Sequence, residues 1–224
     1  MLDALIFDFD GVVVDSEPVH LACFREVLAA RGIALATADY YGKYLGFDDH
    51  DCFAAVLADN GRAVEEDPIA AMTDEKTALV QKAFAESVLP QPGAIELMRQ
   101  ARSAGAALAI CSGALREEIE LAGRTVGALE LVDVLVAARD VARGKPDPEG
   151  YRLAMRLLAE RLSREIVPAR TWVVEDAPAG VQAAKAAGCR VLAVTSSYRR
   201  ADLAAADRVV DSLAEVSLEA LEVS

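Results

Sequence analysis

The sequence has 224 residues, of which 54% are apolar, and a formal net charge of −13, which predicts a globular chain with a sizeable core. The acidic balance argues against nucleic acid or an anionic membrane as a partner, because both require a basic surface. The sequence also has no apolar stretch near the roughly 20 residues that span a bilayer and no signal-peptide pattern at its start, so we expect a cytoplasmic protein.

Buried strands are predicted where short apolar runs lie between turn residues. The runs are Ala4–Phe9, Ala106–Cys111, Val132–Val136, Thr171–Glu175, Arg190–Val194 and, with a weaker pattern, Arg208–Val210. After residue 90, helical patterns separate them, at Ile95–Ala104, Leu115–Val126, Pro148–Leu162 and Ala179–Ala187. Strands that are apolar throughout and alternate with helices predict an α/β fold with a parallel sheet covered on both faces.

The stretch from Ser16 to Ser87 has a different pattern. Its periodicity is helical in His20–Arg31, Asp51–Asn60 and Asp74–Glu86, and it contains no convincing strand. Prolines and a glycine punctuate the chain near its two ends. We therefore predict a core domain formed by residues 1–15 and 89–224, with a helical cap domain inserted as residues 16–88.

Polar side chains follow the predicted strands at their carboxyl ends, where ligands bind in a doubly wound sheet. In chain order they are Asp8 and Asp10, Ser112 and Gly113, Lys145, and Glu175 and Asp176. Carboxylates brought this close repel one another, and their burial is costly unless a positive group compensates. The set therefore predicts a divalent cation, with Lys145 as a further positive charge. Oxygen ligands favour a hard ion, which in phosphate chemistry is usually Mg²⁺.

These residue types suit phosphoryl transfer. Asp8 can attack phosphorus and form an aspartyl-phosphate, and Asp10 can protonate the leaving oxygen and later deprotonate water. Ser112 and the Gly113 amide suit a phosphoryl group, and Lys145 can neutralise the charge on Asp8 and the phosphate together. Each residue alone is common outside active sites, but their combination after successive strands indicates an enzyme.

Four segments, FDFDGVVVDSE, ICSG, GKPDP and VVEDAPAG, resemble the four motifs of the haloacid dehalogenase superfamily. The resemblance is to its phosphatase and beta-phosphoglucomutase-like branch with a helical cap, and it covers essentially the whole chain. It implies a Rossmann-like core, with Asp8 as the nucleophile and Asp10 as the general acid and base. It also implies that Ser112 and Lys145 bind the phosphate. Dehalogenase members have DxY in the first motif, so the presence of Asp10 favours phosphoryl transfer.

The resemblance also implies a metal site. Mg²⁺ would be held by Asp8, the backbone carbonyl of Asp10, and Asp176, with Glu175 acting directly or through water. The chain departs from the fourth motif at Ala177, where the family usually has serine. We expect that change to affect the surroundings of the site more than the reaction.

Three residues of the predicted cap have counterparts in beta-phosphoglucomutase members, where they contribute to substrate binding. They are His20, Gly46 and Lys76. Those members have a G-x-x-R loop whose arginine binds the second phosphate of a bisphosphate, and here Asp49 takes the place of that arginine. An acid should repel a second phosphate, which argues against a mutase.

The sequence therefore predicts a monomeric Mg²⁺-dependent phosphatase. Its substrate would be a small phosphorylated metabolite such as a sugar phosphate or a phosphoglycolate-like compound. A hexose-phosphate mutase of the beta-phosphoglucomutase type is the main alternative. A non-catalytic phosphate-binding protein is the third, and the presence of Asp8, Asp10 and Lys145 argues against it.

Overall fold

The computed structural model describes residues 2–86 and 88–222. The chain divides into two compact units, one formed by Met1–Asp15 with Val88–Ser224 and the other by Ser16–Ser87. They are named here the core unit and the helical unit, and each is described by itself. Among the described residues, no helix has the length and apolar composition needed to cross a bilayer.

The core unit is built on one parallel sheet. Its strands are β1 (Ala4–Phe7), β2 (Ala107–Cys111), β3 (Val134–Val136), β4 (Thr171–Glu175), β5 (Arg190–Val194) and β6 (Arg208–Val210). Their order across the sheet is β3-β2-β1-β4-β5-β6, with every neighbouring pair parallel. The first strand of the chain thus lies inside the sheet, where Ala4 is paired with Ala107 on one side and with Thr171 on the other.

Helices account for most of the remaining regular structure. They are α1 (Glu17–Ala29), α2 (Thr37–Asp39), α3 (Asp49–Asp59), α4 (Glu66–Glu86), α5 (Ala94–Ser103), α6 (Arg116–Thr125), α7 (Glu149–Leu162), α8 (Pro178–Ala186) and α9 (Glu219–Glu222). Short 3₁₀ turns lie at Leu129–Leu131, Ala138–Asp140, Pro168–Arg170 and Leu213–Glu215. Helix α2 continues into a π-helical turn, Tyr40–Tyr44.

Both faces of the sheet are covered. Alternate strand residues such as Ile6 and Val173 share a buried cluster with Tyr151 and Leu158 of α7 and with residues of α8. The intervening residues, such as Phe7, are equally buried, and α5 contacts β2. Strands buried on both faces leave little room for polar side chains between their ends, which explains the largely apolar sequence of the strand interiors. The predicted α/β fold with a Rossmann-like parallel sheet is confirmed.

The helical unit has a core of its own. Apolar side chains of α1, α3 and α4, among them Phe24, Phe53 and Met72, form one buried cluster. The described part of this unit contains no strand, as the sequence pattern predicted.

Some predicted boundaries are wrong. Strand β1 ends at Phe7, not Phe9, because the chain turns at Gly11, whose φ is +71°. Helix α4 begins at Glu66, well before the predicted Asp74. The Pro68 ring is tolerated in a first helical turn, where the backbone N–H has no partner within the helix, and the preceding acids favour a helix N-terminus.

Candidate active site

Three carboxylates meet at the carboxyl ends of two neighbouring strands. Phe7 pairs with Val174 across β1 and β4, so the next residues, Asp8 and Glu175, lie side by side. Asp8 donates its backbone N–H to the Val174 carbonyl over 2.9 Å. Oxygens of Asp8, Glu175 and Asp176 all lie within 4.8 Å of one another. The sheet register therefore creates a compact acidic cluster from residues far apart in the chain.

Lys145 supplies the positive charge in this cluster. It comes from the loop between β3 and α7, and its Nζ lies 2.6 Å from Asp8 Oδ1 and 2.6 Å from Glu175 Oε1. Its ammonium therefore links the two strands through their terminal acids.

Glu175 has hydrogen-bond donors on both oxygens. Oε1 accepts from Lys145 Nζ and from the Tyr151 hydroxyl, each over 2.6 Å. Oε2 accepts the backbone N–H groups of Asp176 and Ala177 over 3.0 and 3.1 Å. Because the side chain is fully buried, these four donors replace the water that an ionised carboxylate requires.

The cluster contains three acids and one ammonium. Burial raises the pKa of Asp8 to about 7, against the attraction of Lys145 and with the help of Glu175 and Asp10. Burial and the neighbouring carboxylates also hold the pKa of Asp176 well above its ordinary value. Burial alone would lower the pKa of Lys145, but Asp8 and Glu175 hold it well above its usual range. When all three acids are ionised, they face one ammonium and leave two negative charges, which is the charge that a divalent cation would balance.

The carboxyl end of β5 contributes two serines that the sequence reasoning missed. The hydroxyl of Ser197 donates to Asp176 Oδ2, and that of Ser196 donates to the Gly11 carbonyl over 2.5 Å. The rule that selected the other residues, polar groups directly after a strand, applies equally to Ser196 and Ser197. They contact the residues that follow β1 and β4.

Ser112 and Gly113 follow β2, and they share a cavity of about 120 Å³ with Lys145 and Tyr151. The Ser112 hydroxyl accepts the Ala114 N–H over 3.0 Å, which fixes its orientation at the cavity wall. The structure thus brings the predicted phosphate-binding residues of the core unit together.

Asp10 lies beyond β1, where it forms an isolated bridge with Val14. The Gly11 N–H donates to the Val14 carbonyl over 2.9 Å, so the segment after Asp8 is a tight turn. Asp10 is close enough to raise the pKa of Asp8.

Of the three predicted substrate residues of the helical unit, the structure brings Lys76 and His20 into contact. Lys76 is only 1% exposed, and its Nζ lies 2.5 Å from Asp49 Oδ1, 3.0 Å from His20 Nδ1 and 4.3 Å from the centre of the Phe24 ring. Gly46 lies between the π-helical turn and α3, with a φ of +85°. The charge of Asp49 is therefore balanced by Lys76, and its repulsion of a second phosphate is weaker than the sequence argument assumed.

Several curated proteins of similar sequence are named as phosphatases. The chain is 33% identical to validoxylamine A 7′-phosphate phosphatase of Streptomyces hygroscopicus subsp. limoneus, over 96% of each chain. It is 32% identical to hexitol phosphatase A of Escherichia coli, over 95% of this chain and 92% of the relative. These relatives support the predicted enzyme class, a phosphoric monoester hydrolase.

Solved structures agree with the fold. A mutant of CbbY from Rhodobacter sphaeroides, crystallised with xylulose-1,5-bisphosphate, superposes with a TM-score of 0.84 and 31% identity over 99% of both chains. A family model described as haloacid dehalogenase-like hydrolase matches residues 2–188, which confirms the resemblance seen in the four motifs. The chain belongs to the haloacid dehalogenase-like hydrolases.

Proposed function

We propose that the chain is a Mg²⁺-dependent phosphatase of a small phosphorylated metabolite, with Asp8 as its nucleophile. The observation that carries the proposal is the contact of Lys145 with both Asp8 and Glu175, inside an acidic cluster at the carboxyl edge of the sheet. A nucleophilic carboxylate that must approach a phosphate needs positive charge beside it, and this arrangement supplies that charge.

The acidic cluster fits a magnesium ion. Its donors are oxygens, and when its three acids are ionised Lys145 balances only one of their negative charges. Asp8, Asp176 and the backbone carbonyl of Asp10 would hold the ion, with Glu175 acting directly or through water. When bound, Mg²⁺ would neutralise negative charge on the phosphoryl group and on the carboxylates around it.

In the first step, an Asp8 carboxylate oxygen attacks phosphorus and the bond from phosphorus to the leaving oxygen breaks. Asp10, in its protonated form, gives its proton to that oxygen. Ser112, the Gly113 amide and Lys145 hold the phosphoryl oxygens as charge develops on them. The products are the dephosphorylated metabolite and an aspartyl-phosphate on Asp8.

In the second step, Asp10 takes a proton from water as the water oxygen attacks phosphorus. The bond between phosphorus and Asp8 breaks, and inorganic phosphate leaves. Asp10 is protonated again and Asp8 is again a carboxylate, so the two residues are ready for another cycle.

The substrate class proposed is a phosphorylated sugar or polyol. Support comes from the relatives, which are named for a validoxylamine 7′-phosphate and for hexitols, and from the xylulose bisphosphate in the CbbY complex. The assignment of residues 16–88 as a cap domain, in which His20, Gly46 and Lys76 contribute to substrate choice, is part of the same proposal.

The test is phosphate release in the presence of Mg²⁺. The panel contains p-nitrophenyl phosphate, sugar and hexitol monophosphates, a ketose bisphosphate and phosphoglycolate. We expect release that disappears with EDTA and in Asp8→Asn, with the fold unchanged by circular dichroism. Lys145→Ala should raise KM and lower kcat together. An Asp8→Asn variant of near-normal activity would contradict the mechanism.

The same assay tests the mutase alternative. Interconversion of glucose 1-phosphate and glucose 6-phosphate, with little phosphate released from any panel member, would identify a mutase instead. The Asp49–Lys76 pairing makes this comparison necessary, because the sequence argument against a mutase depended on an uncompensated Asp49.

A further inference from the structure

We propose that Tyr151 is a positioning residue for Lys145 and acts through Glu175. The inference rests on the proposed function, because it assigns Lys145 a part in catalysis. Tyr151 lies outside the strand-end residues that the sequence singled out, in the first turn of α7.

Tyr151 and Lys145 share one hydrogen-bond acceptor. Glu175 Oε1 receives the Tyr151 hydroxyl and Lys145 Nζ at the same distance, 2.6 Å. Two donors on one oxygen divide its negative charge between them, so the strength of one bond depends on the other. The Tyr151 hydroxyl therefore limits how strongly Glu175 attracts the ammonium.

Packing fixes the positions of both Tyr151 and Glu175. Tyr151 is almost completely buried and its ring packs in the cluster between the sheet and α7. Gly180 lies against Glu175 so closely that a Cβ there would overlap the carboxylate. The carboxylate is thus confined on one side by α8, and it is bonded on the other sides by Tyr151, Lys145 and two backbone amides.

The Tyr151 ring also lies close to the ammonium of Lys145. Lys145 Nζ lies 5.2 Å from the centre of the Tyr151 ring, within the range of a cation–π attraction. Tyr151 thus contacts Glu175 through its hydroxyl and attracts Lys145 through its ring. Both interactions set the point from which the ammonium reaches Asp8.

Removal of the hydroxyl has a definite expected direction. In Tyr151→Phe, Glu175 Oε1 keeps only Lys145 as a side-chain donor, and its attraction for the ammonium increases. Lys145 then moves towards Glu175 and away from Asp8 and the phosphoryl group. Stabilisation of the transition state falls, while the charge that binds the substrate is retained. The loss should therefore appear in kcat more than in KM.

The kinetic test compares Tyr151→Phe with the wild type on p-nitrophenyl phosphate and on the best panel substrate. We expect kcat to fall about tenfold, the size of effect that one hydrogen bond to a charged group can produce, with KM within about twofold. The matched control is Thr171→Val at the opposite end of β4. It also removes a buried hydroxyl, which donates to the Val167 carbonyl over 3.0 Å, and it should lower thermal stability while kcat is retained.

A second measurement needs no turnover. An ammonium held by two carboxylates exchanges slowly, so Lys145 should give a ¹H–¹⁵Nζ correlation, assigned by its loss in Lys145→Arg. We expect this signal to shift or broaden in Tyr151→Phe and to stay unchanged in Thr171→Val. If the wild type hydrolyses no phosphate ester, the proposed function fails, and this spectrum alone decides whether Tyr151 positions Lys145.

The inference is overturned if kcat of Tyr151→Phe stays within twofold of the wild type, or if kcat falls while the Lys145 signal is unchanged. Should Tyr151→Phe fold poorly, 3-fluorotyrosine incorporated at position 151 replaces it, because it keeps the ring and the hydroxyl but makes the hydroxyl a stronger hydrogen-bond donor. The Lys145 signal must then shift, and an unchanged signal would overturn the inference.

Discussion

The carboxylate of Asp176 occupies the space in which Gly11 would carry a side chain. A Cβ built on Gly11 would overlap Asp176 Oδ2 and lie 2.8 Å from Ser197 Oγ. The φ of Gly11 is +71°, a conformation that other residues adopt at a cost. Glycine at position 11 therefore has two roles. It allows the turn after Asp8 and Asp10, and it leaves room for the Asp176 carboxylate.

Gly11→Ala should impair both stability and activity. The backbone strain costs about 1 kcal/mol or more, and the displaced Asp176 should weaken the binding of Mg²⁺ and lower phosphatase activity. The control is Gly105→Ala, which also has a positive φ, +80°, but meets no atom within 4 Å. We expect the control to lose stability without loss of Mg²⁺ affinity, measured by calorimetry. Equal Mg²⁺ affinity in the two variants would contradict the role of the contact.

Ser197→Ala should weaken Mg²⁺ binding by about tenfold or more, the usual effect of losing a partner that orients a ligand. The reason is the hydrogen bond from Ser197 to Asp176 Oδ2. The measurement is the Mg²⁺ concentration for half-maximal activity, together with direct titration of the metal. Ser212→Ala is the control, because its hydroxyl accepts the Ala214 N–H at a helical turn after β6. A loss of affinity in both variants would show that the effect is not specific to Asp176.

Asp49→Ala should destabilise the helical unit by about 3 kcal/mol, because it leaves the buried Lys76 ammonium without its carboxylate. The control is Glu75→Ala, which breaks the exposed pair between Arg31 and Glu75 in the same unit. An exposed pair contributes less than about 1 kcal/mol. Urea unfolding followed by circular dichroism measures both variants, and similar losses would refute the distinction between the buried and the exposed pair.

Asp207 should contribute to stability only above acidic pH. Burial by itself raises its pKa, but Lys185, over 2.8 Å, and the Val191 amide, over 2.7 Å, lower it below the ordinary value. A carboxyl whose folded pKa is depressed stabilises the fold above its unfolded pKa, about 3.9, and loses that contribution as the pH falls through the folded pKa. Asp207→Asn should therefore cost about 1 kcal/mol near neutral pH and progressively less below about pH 4.

The measurement is urea unfolding of the wild type and of Asp207→Asn across the acidic range. Asp202→Asn, at an exposed position in the same segment, controls for the change of net charge. A difference between the wild type and Asp207→Asn that stayed constant as the pH fell would show that the carboxylate charge is not the cause.

The acidic cluster could be predicted from the sequence because each of its acids directly follows an apolar run in the chain. An apolar run followed by Asp8, or by Glu175 and Asp176, marks the end of a buried strand without knowledge of the fold. Parallel strands then bring these ends together. Ser197 obeys the same rule after β5, yet a serine after a strand is also common in turns, so its contact with Asp176 required the structure.

The hydrogen-bond partners of Tyr151 and Lys76 could not be predicted from the sequence, because they lie in distant segments of the chain. Tyr151 has the apolar spacing of a core residue, and nothing in the sequence indicates that its hydroxyl meets Glu175. Lys76 lies on the buried side of α4 with Ile69, Met72 and Val80. A lysine in an apolar stripe predicts a buried ammonium, but its acidic partner comes from a different helix. Partners that come from distant segments depend on packing, which local patterns do not encode.

The central position of β1 has a consequence for how the chain is made. On the ribosome β1 is synthesised before the other strands of the sheet, yet the partners of Ala4 are Ala107 and Thr171, so β1 has no neighbour until much later. Its apolar residues must stay unaggregated over that interval, and long-range parallel pairing is slow. We expect nascent chains that end before β4 to depend on chaperones, with the acidic cluster at the carboxyl edge assembled only after β4 has emerged.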